Sequence, residues 1–147
     1  KVGNWIGPLI VDAAIKNVKT VILFGYHGKL IKLAGGIFHT HNHLADGRIE
    51  ILVYLAVKEK IPIDVIINLS KSNTLEDALL FLESFNKSVA DRLFKNLSTK
   101  IEIRSSEYVK RYTKNEMQIA AIIFDRKRNI RWCGINGKDY ISKFQND

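Results

Sequence analysis

The segment Gly25–Glu50 reads GYHGKLIKLAGGIFHTHNHLADGRIE and follows an apolar run, Thr20–Phe24, TVILF. The run reads as a buried β-strand, because β-branched and aromatic residues crowd it. The segment after it holds all four histidines, five of the nine glycines, Lys29, Lys32, Arg48, Asp46 and Glu50. A polar, glycine-rich stretch directly after a buried strand is where open α/β sheets bind ligands. The expected fold class is therefore α/β, with a strand–loop–helix ligand site.

The flanks supply the other elements. Asn4 is a candidate cap for a first helix, with Ile6, Leu9, Ile10, Ala13 and Ala14 on one face. Pro8 is compatible with the first turn. Within the central segment a short helical turn is expected at Lys29–Leu33. Asp46 starts a helix whose stripe is Ile49, Leu52, Val53, Ala56 and Val57. Ile63–Leu69 reads equally as a strand, from its β-branched residues, or as a short helix opened by Pro62. Thr74 and Asp77 form a capping-box pattern ahead of Leu75, Ala78, Leu79, Leu82 and Phe85. Another helix starts near Lys87 and runs to about Tyr112. Gln118–Phe124 and Ile130–Gly134 flank a polar turn and predict a C-terminal β-hairpin. Asn136 is a candidate cap for a last short helix. The architecture expected is one domain over residues 1–147, with a small sheet and several amphipathic helices.

Composition bounds the partners. The chain has 23 basic and 15 acidic residues, a formal charge of +8, and 46% apolar residues among 147. An excess of positive charge favours an anionic partner, whether a polycarboxylate, a phosphorylated molecule or nucleic acid. The basic residues are spread out apart from Arg126-Lys127-Arg128, without the basic stripe and exposed aromatics of a nucleic-acid module. No apolar run reaches the length of a membrane span. The single cysteine, Cys133, excludes an internal disulfide and reads as a small core residue. A reducing, cytoplasmic setting is expected. The chain begins at Lys1, close to the first helix, and is expected to be a piece of something longer.

The central segment carries the chemistry. Gly25 and Gly28 bracket Tyr26-His27, either to present backbone amides to a ligand or to satisfy a sterically tight turn. Neither a dinucleotide nor a P-loop fingerprint is present. His39, His41 and His43 alternate, so on extended backbone they point one way. They make either a metal site or one functional histidine among polar neighbours. Lys29 and Lys32 share a helical face and either hold carboxylates or are solvated. Arg48 opposes the dipole of the helix it starts, so an anionic ligand or Asp46 must favour it there. Asp46 itself reads first as an N-cap.

The whole block, GYHGKLIKLAGGIFHTHNHLADGRIEIL, resembles the G-H-x-GK-LKLA-G-x(3)-TH-x(3)-ADGR-E-L signature of the CbiD family. Gly3-Asn4 with Ile6-Gly7 is similar to the opening of that region. Asn73-Thr74-Leu75-Glu76-Asp77-Ala78 is similar to its NT-x-E-x-A helix start, and IIFDRKRNIRW to its last strand pair. The resemblance covers essentially all of this chain, which matches the C-terminal portion of longer family members. It departs at Tyr26, where the family carries small or polar residues. It departs also at His39 and His43, which leaves His41 as the histidine carried over and no metal site expected.

The resemblance implies a cobalt-precorrin-5B (C1)-methyltransferase of anaerobic cobalamin biosynthesis. S-adenosylmethionine would donate a methyl group to carbon 1 of a cobalt-bearing tetrapyrrole, with cobalt present only as part of that substrate. It implies Lys29, Lys32, Thr40 and Arg48 as substrate-binding residues. Gly25, His27, Gly28, Asp46 and Glu50 would hold the cofactor, and His41 and Asp46 would serve catalysis. Expected partners are the anionic tetrapyrrole and the N-terminal portion, with homo-oligomers open, and with neither nucleic acid nor membrane. The competing reading is a basic anion- or nucleic-acid-binding module without catalysis. A third is a truncated copy that only scaffolds.

Overall fold

Thr20–Tyr26 forms β1, reaching two residues past the apolar run. In this computed structural model, which describes residues 3–41 and 46–144, β1 lies parallel to β2 (Gln118–Phe124). Thr20 stands opposite Gln118 and Tyr26 opposite Phe124. β3 (Ile130–Cys133) returns antiparallel to β2 and completes the sheet order β1-β2-β3. The hairpin thus falls where its apolar runs and polar turn place it.

Ile119 to Ile123 of β2 are all buried, as a central strand with cover on both faces requires. β1 differs. Leu23 is buried, but Ile22 and Phe24 are 38% and 57% exposed. The expectation of a wholly buried strand at Thr20–Phe24 is therefore corrected. β1 is an edge strand, and its period-two alternation covers only one face.

Helix α1 (Ile6–Ile15) buries Ile6, Gly7, Ile10 and Ala14. Asn4 does not cap it. Trp5 occupies that position without a side-chain bond, and Asn4 pairs with Thr40 instead. α2 (His27–Ala34) follows β1 with no intervening loop, so the glycine-rich stretch is largely helical. It ends in a Schellman arrangement: Gly36 donates to the Leu33 carbonyl and Ile37 to the Lys32 carbonyl, both at 2.9 Å. Gly36 takes the left-handed φ of +83° that this ending needs.

α3 (Arg48–Lys58) packs on α4 (Ile63–Ser70). The ambiguous run at Ile63 is helical: Val65, Ile66 and Leu69 share a buried face, and Pro62 precedes the first turn. α5 (Leu75–Lys110) opens with the expected capping box, Thr74 Oγ1 accepting from the Asp77 amide at 3.1 Å. Its backbone breaks at Asn86, whose Oδ1 accepts from the Val89 amide and caps the second half. The two expected helices are therefore present, joined end to end.

The core lies between α5 and one sheet face. Leu82, Leu93, Phe94, Leu97 and Ile101 pack there with Ile119, Ala121 and Ile123. α6 (Ile135–Phe144) lies against β2 and β3. Its N-terminus is satisfied from α5: the buried Glu102 carboxylate accepts from the amides of Ala121, Asn136 and Gly137. The Asn136 side chain, expected as the cap, donates to the Ile119 carbonyl. Cys133 is half-buried rather than core, and burial pushes its thiol pKa up. Among the described residues, no helix is long and apolar enough to cross a membrane.

Candidate functional site

One face of α2 carries Gly28, Lys29 and Lys32, as helical spacing requires. With Tyr26 at the end of β1, Arg48 at the start of α3, and Asn4, Thr40 and His41, they line a cleft of about 490 Å³. Gly28 is needed for close approach, since a Cβ there would stand 2.8 Å from the Tyr26 ring. The tight-fit reading of this glycine holds in that sense.

Backbone pairing brings the second wall in. The Thr40 amide donates to the Asn4 carbonyl at 3.1 Å, and its hydroxyl to Asn4 Oδ1 at 3.3 Å. Phe38 beneath it stacks on Tyr108 with centroids 4.0 Å apart. Lys32 is 1% exposed, and its Nζ donates to the Thr40 carbonyl at 3.3 Å. Burial pulls the pKa of this ammonium down; Asp46 opposes the shift and Arg48 adds to it.

Arg48 grips Asp46 with both arms of its fork, Nε to Oδ1 at 2.5 Å and Nη2 to Oδ2 at 2.8 Å. That bidentate bond holds the Asp46 carboxyl below the usual carboxylate range. It also accounts for an arginine at a helix start. The expectation that Asp46 caps and starts α3 is corrected, because Gly47 occupies the cap position with φ of +61°. Asp46 and Glu50 line a separate, smaller hollow of about 230 Å³ beside Ser72 and Asn73.

Two further expected residues stay out of the cleft. Gly25 faces the Leu30 side chain, which a Cβ would approach to 3.1 Å. The His27 side chain is wholly buried, edge-on to Phe94 and Trp132. Its Nε2 lies 3.0 Å from Glu76 Oε2, which also accepts the Tyr26 hydroxyl at 2.8 Å. Burial lowers the His27 pKa, with Glu76 opposing. Burial and the Glu76 bond together raise the Tyr26 phenol to about 12. Of the alternating histidines, His39 packs edge-on against Trp5, His41 lines the cleft, and His43 lies outside the described residues. Among the described residues no group of histidines, cysteines and acids is arranged to hold a metal ion.

Sequence reasoning missed Tyr26, Asn4 and Glu76. Tyr26 stood out only as a departure from a family pattern, and Asn4 read as a local cap. Glu76 could have been suspected, since an acid in a helix's first turn is well placed to receive a buried donor. The lining joins three cations to neutral polar groups and, among the described residues, contains no carboxylate. Such a surface selects anions.

Comparison with known sequences shows the family. The family profile described as CbiD, C-terminal domain, matches residues 39–134. A cobalt-precorrin-5B C(1)-methyltransferase of Prochlorococcus marinus strain MIT 9215 is 74% identical over 145 residues, covering 99% of this chain and 39% of that protein. The protein of the same name from Prochlorococcus marinus subsp. pastoris strain CCMP1986 is 72% identical, with the same coverage. That of strain MIT 9313 is 46% identical over 142 residues, covering 97% of this chain and 37% of that protein. The chain therefore spans about two fifths of the length of the curated relatives it matches. No solved structure matches it.

Proposed function

The chain belongs to the CbiD family, and from that premise we propose that it is the substrate-gripping part of an enzyme that methylates cobalt-precorrin-5B at carbon 1. The observation that carries this reading is the convergence of Lys29, Lys32 and Arg48 on a cleft without a carboxylate of its own. The tetrapyrrole is rimmed with acetate and propionate groups, and the cleft is sized for part of that rim rather than the whole ring. Lys29 and Lys32 act as point charges, and Arg48 adds its charge while Asp46 holds its fork. Gripping the rim fixes the macrocycle's orientation, and orientation is what a carbon nucleophile needs for methyl transfer. Alignment can contribute several of the roughly 7–11 kcal/mol available from positioning.

S-adenosylmethionine is the methyl donor in this reading, but the cleft fits it poorly. Its sulfonium is repelled by three cations, and its ribose finds no acid in the lining. Of Gly25, His27, Gly28, Asp46 and Glu50, only Gly28 reaches the cleft. The donor is therefore seated outside this cleft. Asp46, already neutralised by Arg48, is a weak base, and its part is to aim that guanidinium. His41 and Thr40 contribute polar contacts at the rim.

Calorimetry on the full-length protein with a cobalt-tetrapyrrole polycarboxylate tests the assignment. Lys29→Ala and Arg48→Ala should each weaken binding about tenfold or more, the loss expected for a charged hydrogen bond. Wild-type affinity in both variants would remove the cleft from the reaction.

A further inference from the structure

The unprotected strand is β1. Its outer edge is unpaired among the described residues, since β1 neighbours only β2 in the sheet. Open edges in native proteins are blunted by charge, proline, a bulge or short length. β1 has none of these: its seven residues, TVILFGY, include no charged residue and no proline, and its register with β2 runs without a shift. One face is open as well. Ile22 and Phe24 stand exposed, and the Phe24 ring extends the apolar surface to Phe124, with centroids 5.1 Å apart. Parallel strands are normally covered on both faces. Ala120 and Ile122, beside them on β2, are buried. The bare apolar surface therefore lies on β1, with Ile130 at the start of β3 exposed as well.

The relatives show how much chain is available to cover it. This chain spans 39% of each of the first relatives, leaving more than half of their length outside it. The matching profile is that of a C-terminal domain, so chain precedes it in those relatives. We propose that a strand from this preceding portion pairs with the free edge of β1, and that apolar side chains from the same portion cover Ile22 and Phe24. The sheet then runs on through β1 into the rest of the polypeptide. The cleft lies at the same end of the strand, because Tyr26, Gly28 and Lys29 follow one another there. An added strand sets the preceding portion against the open side of the cleft, where open α/β sheets complete their ligand crevices.

Hydrogen exchange on the ligand-free full-length protein tests this independently of what the cleft binds. An open edge strand leaves about half its amides without a sheet partner, whereas an interior strand exchanges slowly throughout. Peptides covering residues 20–26 should exchange as slowly as those covering 118–124. Ile22→Lys with Phe24→Lys should speed exchange over 20–26 by about tenfold or more. Ile63→Lys, at an exposed site on α4, should leave it unchanged. Both substituted side chains are solvent-facing here, so this domain tolerates them. Half-protected amides over 20–26 in the wild type would overturn the proposal, as would wild-type exchange in the double variant. Protection that vanishes on dilution as a dimer dissociates would also overturn it, by assigning the edge to a second copy.

Discussion

His27 Nε2 lies 3.0 Å from Oε2 of Glu76, a residue 49 positions further along the chain. Glu76 sits in the first turn of α5, where the helix dipole favours its negative charge. An ionised carboxylate only accepts, so His27 must donate through Nε2. Its Nδ1 is then a buried lone pair, and among the described residues no donor reaches it. The Tyr26 hydroxyl lands on the same carboxylate oxygen, so a single glutamate pins the junction of β1 and α2 to α5. That junction is one wall of the cleft.

The pairing predicts a pH dependence of stability. Protonating Nδ1 would bury an unsatisfied cation, which is why the folded pKa lies below the ordinary 6.5. Between that lowered value and 6.5 the unfolded chain binds more protons than the folded one, so stability rises with pH across this window. It is fully present above about 6.5 and falls as the solution is acidified. Urea unfolding at closely spaced values from pH 7.5 to 5 should show this slope, and His27→Leu should flatten it. An unchanged slope in the variant would place His27's titration elsewhere.

Glu102 gives the largest expected loss of stability. Its carboxylate accepts amides from Ala121 at 3.0 Å, Asn136 at 3.1 Å and Gly137 at 2.8 Å. It thereby joins α5, β2 and α6. Glu102→Gln keeps the shape but turns a donor toward at least one of those amides. The stranded amide and the Gln N–H facing it each cost about 1–3 kcal/mol, so a total loss of about 2–6 kcal/mol is expected. Equilibrium unfolding measures it, and a change under about 1 kcal/mol would mean that α6 is held by other contacts.

What was legible in the sequence was local. The Thr74–Asp77 box, the Gln118–Cys133 hairpin and the shared face of Lys29 and Lys32 depend on residues a few positions apart. The family pattern supplied the rest of that segment's significance. What was not legible depends on partners far along the chain. Asn4 has the composition of a cap, and only the return of Thr40 beside it shows otherwise. Glu102 carries no local signal of its role, which depends on the amides of α6 more than thirty positions on. Thr20–Phe24 reads as a buried strand, yet the structure covers only one of its faces. Strand composition alone does not reveal whether a neighbouring layer is present.

Gly36 is a local feature with a clear cost. Its φ of +83° lies where a β-carbon is strained. A Cβ there would also stand 3.0 Å from the end of the Arg104 side chain, which can swing away. Gly36→Ala should therefore lose about 1–2 kcal/mol, mostly from backbone strain. Gly35→Ala would be worse for a different reason, because its Cβ would overlap the Ile51 side chain. If thermal unfolding showed Gly36→Ala equal to wild type, the Schellman ending of α2 would not be what holds Lys32 in place.

Lys32 separates binding from stability most cleanly. A buried ammonium at a cleft wall is costly to the fold, and its lowered pKa reports that cost. Because the folded pKa is below 10.5, the unfolded chain binds more protons between the two values, and wild-type stability rises with pH across that window. Lys32→Met keeps the stem and removes the charge. The variant should be as stable as wild type or more so near pH 7, with the gap closing as pH approaches about 10.5. Its affinity for a tetrapyrrole polycarboxylate should nonetheless fall about tenfold or more. A variant that lost stability and kept its affinity would identify Lys32 as a structural strut bonded to the Thr40 carbonyl, and would leave Lys29 and Arg48 to hold the anion.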